Sequence, residues 1–367
     1  MRYLKLFSLI FVGAFCVVAA FNVVLDPYQV LGSPRIARVN THQIPIDERI
    51  MKPVQASARQ PETVYFGSSR VQEGLDPEDL PELNAYNFGF PSALMIEIEA
   101  YGHHVMVDTP ARHLVIGLDF FAFNDSVPPY NGFHLAILGR HARIRALPEL
   151  LLSIRSTIDA RKTWLKSRNE PISQWRPNGF REVPSAVVPD PKSGVLGDVG
   201  LLSHWPAFYP SLKADDRSLL AFEGLLAEAH RHGVKVLAFV TPQHAALSAA
   251  MGPAGLQPLY ENWLRRLAQI CADQAAVCWD FGGYNRLTTV PIEHSSPIYI
   301  GGGQHFRPWI GKVIVRSLFA GRAVVPDFGV PLEPGTVEAY IAEQTKRLAA
   351  WKENNSGDWA DTLAATH

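Results

Sequence analysis

The sequence predicts an α/β fold, a parallel five-stranded sheet with helices on both faces, preceded by one N-terminal transmembrane helix. Three observations lead there. From about residue 61, short β-favouring runs alternate with helical patterns, the order that gives a parallel sheet with right-handed crossovers. Val234-Lys235-Val236-Leu237-Ala238-Phe239-Val240 is nearly all apolar, as a strand buried on both faces must be. Leu6 to Leu25 carries no charge and only Ser8 and Asn22 as clearly polar residues.

At about 1.5 Å per residue, that apolar run reaches across the roughly 30 Å hydrocarbon core. A cleaved signal peptide and a retained anchor are the competing readings. Val17-Val18-Ala19-Ala20-Phe21-Asn22 is a poor small-x-small cleavage site, and Cys16 follows the bulky Phe15, unlike a lipoprotein site. The anchor is preferred, with Arg2 and Lys5 holding the amino terminus inside. The expected location is therefore the inner (cytoplasmic) membrane, single-pass, with the globular domain in the periplasm or other extracytoplasmic space. A formal charge of −1 over 367 residues gives no reason to expect nucleic acid. Cys271 and Cys278 read as late helix and strand, either a disulfide or two buried thiols. No Cys/His spacing resembles a zinc site, so neither a metal nor a cofactor is expected.

The chain divides into an anchor (1–28), an extended linker arm (29–60), an α/β domain (61–325) and a tail with one helix (326–367). The expected strands are Thr63 to Phe66, Ala85 to Phe88, His113 to Ile116, Val234 to Val240 and Ala276 to Trp279. Residues of about 125–210 interrupt the alternation as an insertion or lid. They hold a basic amphipathic segment, Arg143 to Lys166, which reads as a solvated face or a contact with headgroups or an anionic polymer. A Pro-, Gly- and Ser-rich tract, Pro171 to Gly200, follows it. Asp215 and Asp216 then cap a helix with Leu219, Phe222, Leu226 and Ala229 on one face.

Ligands in open α/β sheets sit at the C-terminal strand edge. Four loops reach that edge: Gly67-Ser68-Ser69, Asn87-Phe88-Gly89, Gly117-Leu118-Asp119, and the loop leading to Gln304-His305-Phe306-Arg307. A hydroxyl nucleophile needs a base within hydrogen-bond reach and donors for the oxyanion. Ser69 is the candidate nucleophile, His305 the base, and the backbone N–H groups of Ser69 and Gly89 the oxyanion donors. Ser68, Arg70, Arg307 and His244, which follows the fourth strand, are candidate pocket residues. His103, His104, His230 and His232 lack chelating geometry on a helix.

These blocks, in this order over residues 63 to 315, resemble the SGNH (GDSL-type) hydrolase superfamily. The likeness is to its membrane-anchored branch of polysaccharide O-acetylation and teichoic acid D-alanyl transfer proteins. The resemblance implies a flavodoxin-like sheet and a role for Ser69 as nucleophile. It puts Gly89 and Asp119 in the oxyanion hole and makes His305 the base. Two positions depart from the pattern. Asp119 stands where the family has an Asn donor, so it must be protonated, turned away, or a mark of lost activity. Gly302 stands where the family places its acid, three residues before the histidine. The second nitrogen of His305 is then left to a backbone carbonyl, to Asp280, to Glu293 or to Asp119.

The implied function is a serine esterase or acyltransferase acting on acetyl or similar acyl groups of cell-envelope polysaccharide. The expected partners are the membrane and a polysaccharide or acylated small molecule, with a membrane-bound O-acyltransferase as a further candidate. A catalytically inactive domain that binds glycan or scaffolds such an acyltransferase is the alternative. A cytosolic lipase-like hydrolase conflicts with the anchor.

Overall fold

The computed structural model describes residues 2–43, 48–130, 133, 138–169, 174–183, 190–203 and 216–366. In chain order its elements are α1 (Arg2–Leu25), α2 (Glu48–Arg59), β1 (Thr63–Phe66), α3 (Ser69–Gly74), β2 (Ala85–Asn87), α4 (Met95–Asp108) and β3 (His113–Leu118). The interrupting region supplies α5 (Ala142–Leu152), α6 (Ile154–Asn169) and α7 (Pro191–Ser203). Then come α8 (Arg217–Arg231), β4 (Lys235–Val240), α9 (Ala245–Ala250), α10 (Gln257–Asp273), β5 (Val277–Asp280) and α11 (Pro308–Ala320). The chain closes with β6 (Val330–Pro331), α12 (Val337–Asn354) and α13 (Ser356–Ala365).

Among the described residues the sheet has six strands rather than five, in the order β2-β1-β3-β4-β5-β6. The five expected strands are parallel, and the short β6 adds antiparallel to β5 through Trp279 and Asp280. Two residues, one of them proline, carry no periodicity that a sequence reading could detect. Alternate strand residues feed two cores. Val64, Phe66, Leu114, Ile116 and Ala238 pack with Tyr101, Phe222 and Trp263 of α4, α8 and α10. Tyr65, Val115, Leu237 and Phe239 pack with Val71 of α3 and with Ile310 and Ile314 of α11. Helices therefore cover both faces, and the chain reverses direction across the sheet between β1 and β3, where doubly wound sheets open a crevice.

The expected extended arm is a correction. Tyr28 and Val30 are buried with Met51 and Val54 of α2 and Leu150 of α5. Asp26 accepts from the N–H groups of Val30 and Leu31 at 3.0 and 3.2 Å, turning the chain as it leaves α1. Pro53 lies inside α2 and cannot donate to the Arg49 carbonyl one turn back. The Tyr101 hydroxyl takes that place at 2.9 Å. Lys52 is fully buried, and its ammonium donates to the carbonyls of Asn87, Gly89 and Gly179. Burial lowers it to about 8.

The interrupting region is several docked pieces rather than one lid. Helices α5 and α6 lie against α1, while α7 lies against α9 and α13. Between them, Asn178 accepts the Asn87 N–H at 2.8 Å, and Arg181 donates its N–H to Gln72 at 3.1 Å. Asp216 stands at the N-cap of α8. Asp215 and stretches of the Pro-rich tract lie outside the described residues. The tail carries two helices, not one, and Asp358 of α13 holds the Ile292 N–H at 3.0 Å. Cys271 and Cys278 form a disulfide.

The contact that positions the site lies between α3 and α11. A Cβ on Gly311 would fall inside the Gly74 carbonyl oxygen, and one on Gly74 would fall inside the Phe306 ring. Only two glycines let these helices meet at backbone distance. Gly311→Ala is expected to lose about 1–3 kcal/mol of stability, the cost of overpacking, read as a lower denaturant midpoint in urea. The same variant is expected to lose the Ser69–His305 contact described next.

Candidate active site

Ser68 is the N-cap of α3, its hydroxyl accepting the Arg70 N–H at 3.2 Å. That capping duty explains its burial and removes it as a nucleophile. Ser69, the first residue of α3, is partly exposed. Its N–H belongs to the first turn, where no intrahelical carbonyl reaches it. The loop before α11 is pinned as a narrow turn, with Ile300 donating to the His305 carbonyl at 2.7 Å and Arg307 to Ile298 at 2.8 Å. It sets His305 Nε2 2.9 Å from Ser69 Oγ, across a sequence separation of 236 residues.

Desolvation, and then the Arg70 guanidinium, push the His305 imidazole down to about 4. About a third of the side chain (32%) is still open to solvent, so a substrate can reach it. The ring is neutral at pH 7, which leaves Nε2 as the acceptor of the serine proton and places hydrogen on Nδ1. Among the described residues, no hydrogen bond engages Nδ1.

Asp119 is an acceptor rather than a donor to an oxyanion. Its Oδ1 accepts from Thr241 Oγ1 and lies 3.1 Å from Arg70, while Oδ2 is buried with no partner among the described residues. Arg70 also donates to Thr241 Oγ1 at 3.0 Å and Gln304 Oε1 at 2.9 Å. The ends of β1, β3 and β4 and the histidine loop are thus joined by one guanidinium, which offsets the Asp119 charge.

Four sequence expectations change here. The Gly89 N–H donates to Asn87 Oδ1 at 2.8 Å and is not free for an oxyanion. The Asp280 carboxylate accepts from the Gly282 N–H at 2.6 Å and Tyr340 at 3.0 Å, so both oxygens are engaged away from His305. Burial raises that carboxyl to about 6. His244 caps α9, with Nδ1 accepting from Ala246 at 3.1 Å and Nε2 meeting the Val290 carbonyl at 2.8 Å. It is fully buried and lines no opening. Arg307 donates to the Ser296 carbonyl and braces the histidine turn rather than a pocket. Glu293 is exposed.

Two acidic residues were missed. Glu73 lies one turn after Ser69, and its Oε2 is 4.0 Å from His305 Nε2. Burial raises the carboxyl to about 7, against the pull of Arg181 at 3.2 Å. The i, i+4 spacing from Ser69 was a usable signal. Asp198 of α7 accepts the Gly303 N–H at 2.8 Å. Its carboxylate fills the space that a side chain at Gly302 would occupy. Burial raises it, while Gly303, Gln304 and Arg70 oppose the shift. The missing acid of the histidine loop is thus matched by a carboxylate from a distant helix, which supports the loop. Among the described residues, no cluster of His, Cys, Asp or Glu could hold a metal.

No protein-family model matches the chain, and none of the curated proteins is significantly similar to it. The chemistry of this site therefore rests on its own geometry.

Glu73 has a signed pH effect. Its folded value lies above its ordinary 4.5, so the folded state holds the proton more tightly. The group's contribution to stability falls as pH rises from about 4.5 to about 7. Once ionised, it favours the imidazolium at 4.0 Å, so turnover of an ester is expected to rise with pH through about 7. In Glu73→Gln that rise is expected to vanish, with turnover above pH 8 lower by about tenfold or more. A pH profile of kcat/KM checks it.

Proposed function

We propose that this protein is a membrane-anchored serine hydrolase or acyltransferase of the SGNH type, acting on acyl esters of cell-envelope polysaccharide. The observation that carries the reading is the 2.9 Å contact between Ser69 Oγ and His305 Nε2 at the C-terminal edge of the sheet. A neutral histidine beside a partly exposed serine on a helix N-terminus is a nucleophile with its base.

The steps balance on these groups. The Ser69 hydroxyl proton passes to Nε2 as Oγ bonds to the acyl carbon. The carbonyl becomes an oxyanion facing the Ser69 N–H and the N-terminal end of α3. Its collapse breaks the ester C–O bond, and the departing alcohol takes the proton from Nε2. Water, or a hydroxyl of a second glycan, then attacks acyl-Ser69 by the same route. Water gives hydrolysis, and the hydroxyl gives transfer. Helix α1 supports the membrane part of the reading, because it is long and apolar enough to cross a bilayer.

One observation favours the alternative of a catalytically silent glycan-binding or scaffolding domain. The Gly89 N–H is already committed to Asn87, and an oxyanion donor is worth about 10²–10³ in rate. The two readings part on Ser69. A fluorophosphonate probe is expected to label Ser69 in the wild type and not in Ser69→Ala, as read by peptide mass. Turnover of a short-chain acyl ester is expected to fall at least ~10³-fold in that variant. Absence of labelling, with turnover equal in both proteins, would select the silent domain.

A further inference from the structure

Helix α6 is inside out. The face it turns to the protein carries Ser156, Asp159, Ala160, Thr163 and Ser167, all buried and mostly polar. Its outer face carries Ile154, Ile158 and Leu165, which are 81%, 50% and 40% exposed. At 3.6 residues per turn, these three point within about 40° of one another. A helix in water puts such a stripe inward. Exposed cations border it, Arg161 and Arg168 on one side and Arg155 and Lys162 on the other. Lys162 also reaches Asp159 at 2.9 Å, and the Arg168 guanidinium lies over Trp164. An apolar stripe with cationic borders is the pattern of a helix lying in a membrane interface.

The neighbour of α6 supplies a second, independent observation. Asn22 Nδ2 of α1 donates to the Leu151 carbonyl at 2.9 Å and to Thr157 Oγ1 at 3.1 Å, so the α5–α6 turn is fixed against α1. Residues 2–17 of α1 are exposed, whereas Asn22, Leu25 and Asp26 are buried in the protein. The boundary between bilayer and protein along α1 therefore falls near residues 18–21. Leu152 sits in a shallow cleft with Phe11, Phe15 and Ala19, on the bilayer side of that boundary.

We propose that α6 docks on the bilayer that α1 enters. Leu152, Ile154 and Ile158 enter the hydrocarbon of the adjacent leaflet, and Arg155, Arg161 and Arg168 meet anionic headgroup phosphates. The occupant of the exposed stripe is lipid, because the stripe continues the apolar surface of α1 and its borders match headgroup charge. This rests on α1 spanning the membrane. The consequence is two-point attachment: the domain is held against the membrane at a set tilt rather than swinging on a tether.

The test uses the full chain in vesicles of phosphatidylethanolamine and phosphatidylglycerol. The one free cysteine is removed as Cys16→Ser. The environment-sensitive fluorophore NBD is then placed singly at Ile158→Cys, Leu165→Cys, Val12→Cys or the exposed Arg231→Cys. Nitroxide-labelled lipid is expected to quench positions 12, 158 and 165 several-fold more than 231, and aqueous iodide to do the reverse. Replacing phosphatidylglycerol by phosphatidylcholine is expected to weaken shielding at 158 and 165 but not at 12. Lipid quenching at 12, with 158 and 165 behaving like 231, would overturn the proposal and leave the anchor standing. Water exposure at 12 as well would overturn the anchor and the docking together. Shielding indifferent to lipid charge would overturn the role given to the arginines.

Discussion

The site depends on a steric permission. The short helix that begins with Ser69 and the helix that follows His305 meet where neither Gly74 nor Gly311 has a side chain. Phe306, next to the histidine, lies against Gly74, so the same contact that docks α11 also aims the imidazole. A hydrogen bond of 2.9 Å between residues so distant in sequence needs such a rigid seat. Neither loop could hold it against conformational entropy alone.

Buried charge tightens the seat. Arg70, Asp119, Thr241 and Gln304 bind together the ends of three parallel strands and the histidine loop. Lys52 performs a similar task one strand away, where its ammonium collects carbonyls from the β2 loop and from Gly179. Removing one partner of such a cluster leaves an uncompensated charge, which costs more than the cluster contributes when whole. Parts of the insertion are therefore structural. Residues 174–183 complete the edge of the β2 loop, and Asp198 of α7 stands where the histidine loop lacks its own carboxylate.

The parallel strands were legible in the sequence because burial on both faces forces continuous apolar runs, and all five fell within two residues of their expected ends. The Ser69–His305 pairing was legible as well, since the C-terminal edge of a parallel sheet gathers loops from remote parts of the chain. What escaped was whatever depends on a partner rather than on a pattern. Helix α2 was hidden by Pro53 and a polar composition, and its broken backbone bond is repaired by Tyr101 from another helix. Asp280 sat at the correct sheet edge, but Tyr340 of the tail claims its carboxylate. Gly89 matched a donor position, yet Asn87, two residues away, takes its N–H. Asp198 left no sequence signal, because its place is set by how α7 packs.

The most direct measurement is of the imidazole itself. With ¹⁵N-histidine in the full chain, the His305 resonance is identified by its loss in His305→Gln and titrated in the wild type and in Ser69→Ala. The account expects a ring neutral at pH 7, protonated on Nδ1, that titrates near 4 and whose Nε2 shift moves when the Ser69 hydroxyl is removed. A His305 that titrates near 6.5 and does not sense Ser69→Ala would contradict it, because the serine and histidine would then not be in contact.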